Sequence, residues 1–214
     1  MLKNVYHRPL TTHHHQNSQF MTGLVLCGGQ SSRMGTDKGL LKLQANSWAQ
    51  TAVNKLLELQ IPVLISVNKN QYAEYGTVFP PQQLIVDNES LRLKGPLCGV
   101  LTTHLQLPQE DLVVLACDMP LLEIGLVKEL VIQYRLNDKN DAFIYTNDGE
   151  PEPLCGIYKS RGLAHILSLY HSGQLVKHSM KFMLEHVPTN TLTLSPEKKS
   201  SFRNFNAHAE LNGL

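Results

Sequence analysis

Few features of this 214-residue chain are extreme, and each missing extreme removes a class of function. Charge of one sign is not in excess. Lys and Arg number 19 against 18 Asp and Glu, a formal net charge of +1, so no global field would gather nucleic acid or an acidic membrane surface. Any handling of anions must therefore be local. No apolar run approaches the ~20 residues that a membrane-spanning helix needs, and the start has no hydrophobic signal core; the expected compartment is the cytoplasm. The four cysteines, Cys27, Cys98, Cys117 and Cys155, lack the close pairing of a zinc motif and read as small buried residues in a reducing compartment. No internal repeat and no break in composition divides the chain.

What is present is an ordinary globular balance, 42% hydrophobic and 17% charged, long enough for one α/β domain with a real core. Residues 1–20 are polar, carry His13, His14 and His15 in a row, and read as a flexible tail without function. Residues 21–214 are the expected folded unit. From Gly23 onward, short β-type runs alternate with helical patterns, the signature of a parallel sheet with crossover helices. Strands are expected over 23–26, 61–67, 84–86, 112–116 and 142–145. Ser47 can cap a helix whose apolar face is Trp48, Ala52, Leu56 and Leu59. Further helices are marked by Leu97, Val100, Leu101, His104 and Leu105, and by Leu126, Val127, Leu130, Val131 and Tyr134. The run over 112–116 is nearly all apolar, as in a strand buried on both faces. In the last third, Pro151 and Pro153 interrupt a strand over 154–158. Helical patterns cover 162–170 and 177–186, and residues 201–214 suggest a short strand and a closing helix.

One segment carries the most chemistry: Leu24-Val25-Leu26-Cys27-Gly28-Gly29-Gln30-Ser31-Ser32-Arg33-Met34-Gly35-Thr36-Asp37-Lys38-Gly39. An apolar strand feeds a loop of small residues that holds an arginine and then a lysine. Such a loop can aim backbone N–H groups and two cations at a polyphosphate, and its glycines permit close backbone approach. It is neither the Gly-Lys-Ser/Thr loop of P-loop ATPases nor Gly-x-Gly-x-x-Gly.

Ligands of an open parallel sheet bind outside the carboxyl ends of the strands. There the glycine loop is joined by Asn68, Asp87 and the run Cys117-Asp118-Met119-Pro120. Asn and Asp favour turns anywhere, yet Asp118 ends the most apolar strand beside the expected phosphate loop, which points to a hard cation such as Mg²⁺. Gly95-Pro96-Leu97-Cys98-Gly99 is either a plain helix start or a place of close approach to a base or sugar. Cys27, Cys98 and Cys117 all fall in these segments and are expected near one another, sensitive to thiol reagents or soft metals.

The glycine loop, Asp37-Lys38-Gly39, Gly-Pro-Leu-Cys-Gly at 95–99 and Cys-Asp-Met-Pro at 117–120 together resemble the molybdenum cofactor guanylyltransferases, from about Gly23 to the end of the chain. Weaker likeness lies at 177–184 and 202–206. The resemblance implies a single-domain Rossmann-like three-layer sandwich with a mostly parallel sheet. It implies a nucleotidyltransferase over 21–214 that joins the guanylyl part of GTP to the terminal phosphate of molybdenum-molybdopterin and releases pyrophosphate. Carried over, Leu26, Cys27 and Gly28 would line the nucleotide, Lys38 would bind phosphate, Asn68 and Asp87 would meet the nucleoside, and Asp118 would hold Mg²⁺. Asn88 is the neighbouring alternative to Asp87, and Cys27 and Cys98 stand where the family commonly has alanine. Arg33, Lys38 and Asp118 form the expected catalytic set, with the two cations on the β- and γ-phosphates. Lys177, His178, Lys181, Asn204 and Asn206 are the candidates for the acceptor. Expected partners are GTP and molybdenum-molybdopterin, with room for other cofactor-biosynthesis or molybdoenzyme-maturation proteins and none for nucleic acid or membrane. A cytidylyltransferase acting on molybdopterin or on a sugar or polyol phosphate, and a non-catalytic nucleotide-binding module, are the alternatives.

Overall fold

A computed structural model describes residues 20–28, 37–43 and 45–205. The chain enters through β1 (Met21–Leu26), makes a small ribbon of β2 (Lys42–Leu43) and β3 (Asn46–Ser47), and passes into α1 (Trp48–Leu57). β4 (Val63–Val67), α2 (Tyr72–Tyr75), β5 (Leu84–Val86), α3 (Pro96–Gln106) and β6 (Asp111–Ala116) follow. The remainder comprises α4 (Ile124–Leu136), β7 (Ala142–Asn147), β8 (Glu150–Tyr158), α5 (Ser160–His171), α6 (Met180–Leu184) and β9 (Thr189–Thr193).

Seven strands form one sheet in the order β5-β4-β1-β6-β8-β7-β9. Among the described strands of that sheet, only β8 runs against its neighbours. Helices cover both faces. Val25, Val113, Leu115, Phe143 and Ile157 point into a core shared with α1 and α4. Leu24, Leu112, Val114, Ile144 and Tyr158 point into the opposite core with α3, α5 and α6. The alternation follows from the two-residue period of a strand. β6, at the middle of the sheet, is buried at every position. This is the three-layer, mostly parallel architecture that the sequence implies, and no helix among the described residues is long and apolar enough to cross a membrane.

Local signals act as expected where they are strong. The Ser47 hydroxyl accepts from the N–H of Gln50 at 3.1 Å and starts α1. Gly95, at φ 70°, sits before Pro96 in the first turn of α3.

Elsewhere the structure corrects the sequence. Pro151 and Pro153 do not interrupt a strand; both lie within β8. Pairing with β6 reaches only to Cys155, and the register with β7 jumps between Ile144 and Tyr145. The missing proline N–H groups therefore fall outside the β6 ladder. The Tyr158 hydroxyl donates to the Pro153 carbonyl at 2.6 Å across this irregularity. The helix expected over 177–186 is only Met180–Leu184, because the Ser179 side chain accepts from the N–H of Phe182 and sets the start. Strand β9 has the polar, partly exposed sequence Thr-Asn-Thr-Leu-Thr, which carries no apolar strand signal. Of the short strand and closing helix expected over 201–214, the described residues show neither: residues 196–202 form a 3-10 turn, and 206–214 lie outside the described residues.

Candidate functional site

β1 and β6 are adjacent, and their carboxyl ends deliver Cys27-Gly28 and Cys117-Asp118 to the same edge. The ladder continues past its last pair, since the Cys117 N–H donates to the Leu26 carbonyl at 3.1 Å. A hollow opens here. It is lined by Leu26, Cys27, Gly28, Ala116, Cys117 and Asp118 from these strand ends, by Asp37 and Lys38 from one side, and by Pro96 and Leu154 from the other. Lys38 and Asp118 thus share one concavity.

Lys38 is held from behind by a buried polar network. Asp37 precedes a 3-10 turn over Lys38–Leu40 and accepts from the Gly39 N–H at 2.9 Å. The Tyr75 hydroxyl donates to Asp37 Oδ1 at 2.6 Å. The Gln71 amide donates to the Cys27 carbonyl at 2.9 Å and to Asp37 Oδ2, while its own oxygen accepts from the Asn68 N–H at 2.8 Å. A Cβ on Gly39 would lie 2.1 Å from the Tyr75 hydroxyl, so this approach requires glycine. Burial pushes the Tyr75 phenol well above its ordinary pKa, keeping it a donor.

Asp118 is largely desolvated. Burial raises its carboxyl pKa, and the Lys38 charge acts against that rise. Its Oδ1 is buried without a hydrogen-bond partner among the described residues. A buried carboxylate oxygen left over in this way is a donor atom suited to a hard cation. The Asp118 turn is fixed by two outside contacts. The Lys55 ammonium donates to the Pro120 carbonyl at 2.6 Å, and the Phe205 N–H donates to the Asp118 carbonyl at 3.0 Å. Burial pulls the Lys55 pKa down to about 8.

Asp87, at the end of β5, accepts from the Ser66 hydroxyl at 2.7 Å, and burial raises its pKa. Its other oxygen would lie 3.0 Å from a Cβ on Gly28, so this carboxylate stands beside Gly28, although Asp87 is not itself among the residues that line the hollow. Asn88 faces elsewhere: its side chain accepts from the Ser90 N–H at 3.0 Å, and it lines a separate surface hollow with Tyr170 and His178. Asn68 is not among the lining residues of the Lys38–Asp118 hollow. Its side-chain oxygen accepts from the N–H groups of Asn70 and Gln71 and forms the turn, the ordinary role of asparagine at such a place.

Of the expected acceptor residues, Lys177 stands over the Phe182 ring, His178 packs edge-on against Tyr170, and Lys181 pairs with Glu150 at 2.7 Å. Asn204 is exposed and precedes Phe205, whose backbone reaches Asp118. Arg33, Asn206 and His13–His15 lie outside the described residues. The cysteines divide. Cys27 and Cys117 share one face of the sheet and both line the hollow, but Cys98 lies in the opposite core with its thiol toward the Asn88 carbonyl. The expected three-cysteine cluster is therefore a pair. Sequence reasoning gave no role to Gln71, Tyr75 or Leu154; the alternation along 150–158 could have brought Leu154 to the edge, had the prolines not suggested a break.

The family profile described as "MobA-like NTP transferase domain" matches residues 23–189. A probable molybdenum cofactor guanylyltransferase of Flavobacterium johnsoniae is 28% identical over 91% of this chain and 96% of its own length. Its counterpart from Geobacillus sp. is 30% identical over 91% of this chain and 97% of its own length. Among solved structures, molybdopterin-guanine dinucleotide biosynthesis protein A from Archaeoglobus fulgidus superposes with a TM-score of 0.68 at 20% identity. The match covers 89% of this chain and 95% of that one, a likeness of fold.

Proposed function

The chain belongs to the MobA-like NTP transferase family, and from that premise we propose that it transfers the guanylyl group of GTP to the terminal phosphate of molybdenum-molybdopterin. The observation that carries the reading is the shared hollow of Lys38 and Asp118, with a buried Asp118 oxygen lacking a partner among the described residues. Relatives carrying the guanylyltransferase name span nearly the whole chain.

In this reaction an oxygen of the acceptor phosphate forms a bond to the α-phosphorus of GTP, and the bond from that phosphorus to the β-bridging oxygen breaks. Pyrophosphate leaves. The acceptor is a phosphate monoester whose second pKa is near 6, so it is largely ionised at neutral pH and needs no general base. The barrier is the approach of one anion to another, which is overcome by positioning and neutralisation. Lys38 holds phosphate oxygens of the leaving group, with Arg33 as its expected companion. The ends of β1, with Gly28 bare of a side chain, let the nucleotide lie against the backbone, and Asp87 receives the ribose on the Gly28 side. Asp118 would hold Mg²⁺, which when bound supplies Lewis-acid stabilisation of charge on the α-phosphate. Asn204, beside the Phe205 contact to Asp118, borders the acceptor side. A cytoplasmic location and delivery of the product to a cofactor-maturation protein belong to the same reading.

The test is pyrophosphate release by purified protein with Mg²⁺, acceptor and GTP, CTP or ATP in parallel, paired with thermal shifts for each nucleotide. Only a bound nucleotide stabilises the fold, by about 2.7 kcal/mol at 100 times its Kd. Release with GTP alone supports the guanylyl reading. Release with CTP alone replaces it by the cytidylyl alternative, and shifts without release leave a binding module.

A further inference from the structure

The Lys38–Asp118 hollow also has a sulfur-lined wall that phosphoryl transfer does not use. Cys27 and Cys117 directly follow the paired residues Leu26 and Ala116, and the 3.1 Å bond from the Cys117 N–H to the Leu26 carbonyl keeps the strand spacing beyond the ladder. Neighbouring strands lie about 4.8 Å apart, inside the roughly 4.4–6.8 Å Cα separation at which two cysteine side chains can be joined. Strand period puts both on one face: with Val25 and Leu115 they belong to the core beneath α1 and α4. Both residues border the hollow. Cys98 is in the other core. Cys155, on the same face as the pair, is not among the residues lining this hollow.

We propose that Cys27 and Cys117 form a dithiol site for soft trivalent metalloids of the arsenical class, entered through the hollow. Two thiols side by side suit a soft, thiophilic centre as single cysteines do not. The step balances without an oxidant or reductant. With an arylarsine oxide, two S–As bonds form, both As–O bonding interactions of the oxide are given up, and the oxygen leaves as one water carrying the two thiol protons. Arsenic stays trivalent throughout. Bridging rests on the strand geometry alone; shielding of the pair by nucleotide rests on the function proposed above.

The experiment treats the full chain with phenylarsine oxide and reads the adduct by intact mass and peptide mapping. One adduct per chain is expected, joining Cys27 to Cys117, resistant to a monothiol and reversed by a dithiol. Cys27→Ala and Cys117→Ala should each lose the monothiol-resistant adduct, and Cys98→Ala and Cys155→Ala should keep it, with unfolding temperature reporting that each variant is folded. An adduct that maps to Cys98 or Cys155, that survives in Cys27→Ala, or that fails to form on the parent overturns the site. Mg·GTP at 100 times its Kd should slow labelling about 100-fold by occupancy. Bridged cysteines that GTP does not shield would leave the dithiol standing and remove the nucleotide from this hollow.

Discussion

The Gln71 side-chain amide joins Cys27 to Asp37, donating to the carbonyl of one at 2.9 Å and to the carboxylate of the other. One buried residue thereby ties the end of β1 to the turn that presents Lys38, and its oxygen secures the N–H of Asn68 at the end of β4. Gln71→Leu strands these groups. Each unsatisfied buried partner costs about 1–3 kcal/mol, so a clear fall in denaturation midpoint is expected. Because the Lys38 turn loses its anchor, kcat should fall as well while the acceptor KM stays near that of the parent. Equal activity per folded molecule would show that Lys38 does not depend on this tie.

Lys38→Ala and Asp118→Ala each remove one of the charged groups that line the same hollow. Loss of one preorganised electrostatic contact costs about two to three orders of magnitude in rate. That loss is expected for each variant in steady-state pyrophosphate release. For Asp118→Ala it should be accompanied by weaker dependence on Mg²⁺ concentration. A purified Asp118→Ala protein that turns over normally would remove the metal role assigned to this carboxylate.

How far the sequence could be read follows from the range of each signal. β6 and the caps of α1 and α3 depend on neighbours a few residues away, so apolar runs, Ser47 and Gly95-Pro96 disclose them. The edge residues Asp87 and Asp118 are legible because strand order alone brings strand ends together. The network behind Lys38 is not. Gln71 and Tyr75 meet Asp37 across 34 and 38 positions, and no local pattern announces the pairing. β8 is hidden for a related reason: whether a proline breaks a strand depends on which ladder its N–H would have joined, and only the register with β6 decides that. The cysteine cluster was only partly legible, since Cys98 shares the site's segments but faces the opposite core.

The raised carboxyl pKa of Asp118 couples the site to stability. In the unfolded chain an aspartate ionises near pH 3.9; here burial holds the folded value above that. Stability is therefore highest at low pH as far as this group is concerned, and is lost as pH rises through the raised folded pKa. Asp118→Asn abolishes that ionisation. The variant should be more heat-stable than the parent at pH 7 without Mg²⁺ or nucleotide, and the difference should shrink as both are brought toward pH 4. Its turnover should be low throughout. Melting curves across this range decide the matter: a variant less stable than the parent at pH 7 would mean that Asp118 is held by favourable contacts rather than strained by burial.

Two glycine-to-alanine changes of identical chemistry should have opposite outcomes. At Gly39 the added methyl would lie 2.1 Å from the Tyr75 hydroxyl, which itself donates to Asp37. Either the ring or the turn must move. Overpacking of this kind costs about 1–3 kcal/mol, and the displaced turn carries Lys38, so Gly39→Ala should lower both stability and turnover. At Gly125, in the first turn of α4, nothing lies within 4 Å of the new methyl. There alanine restricts the unfolded chain and favours helix, a gain of up to about 0.5–1 kcal/mol, and activity should be unchanged. Chemical denaturation of the two variants beside the parent, with kinetics at one saturating GTP concentration, measures both effects. If Gly39→Ala matched the parent in stability and rate, the close contact between Tyr75 and the Lys38 turn would not be needed for function.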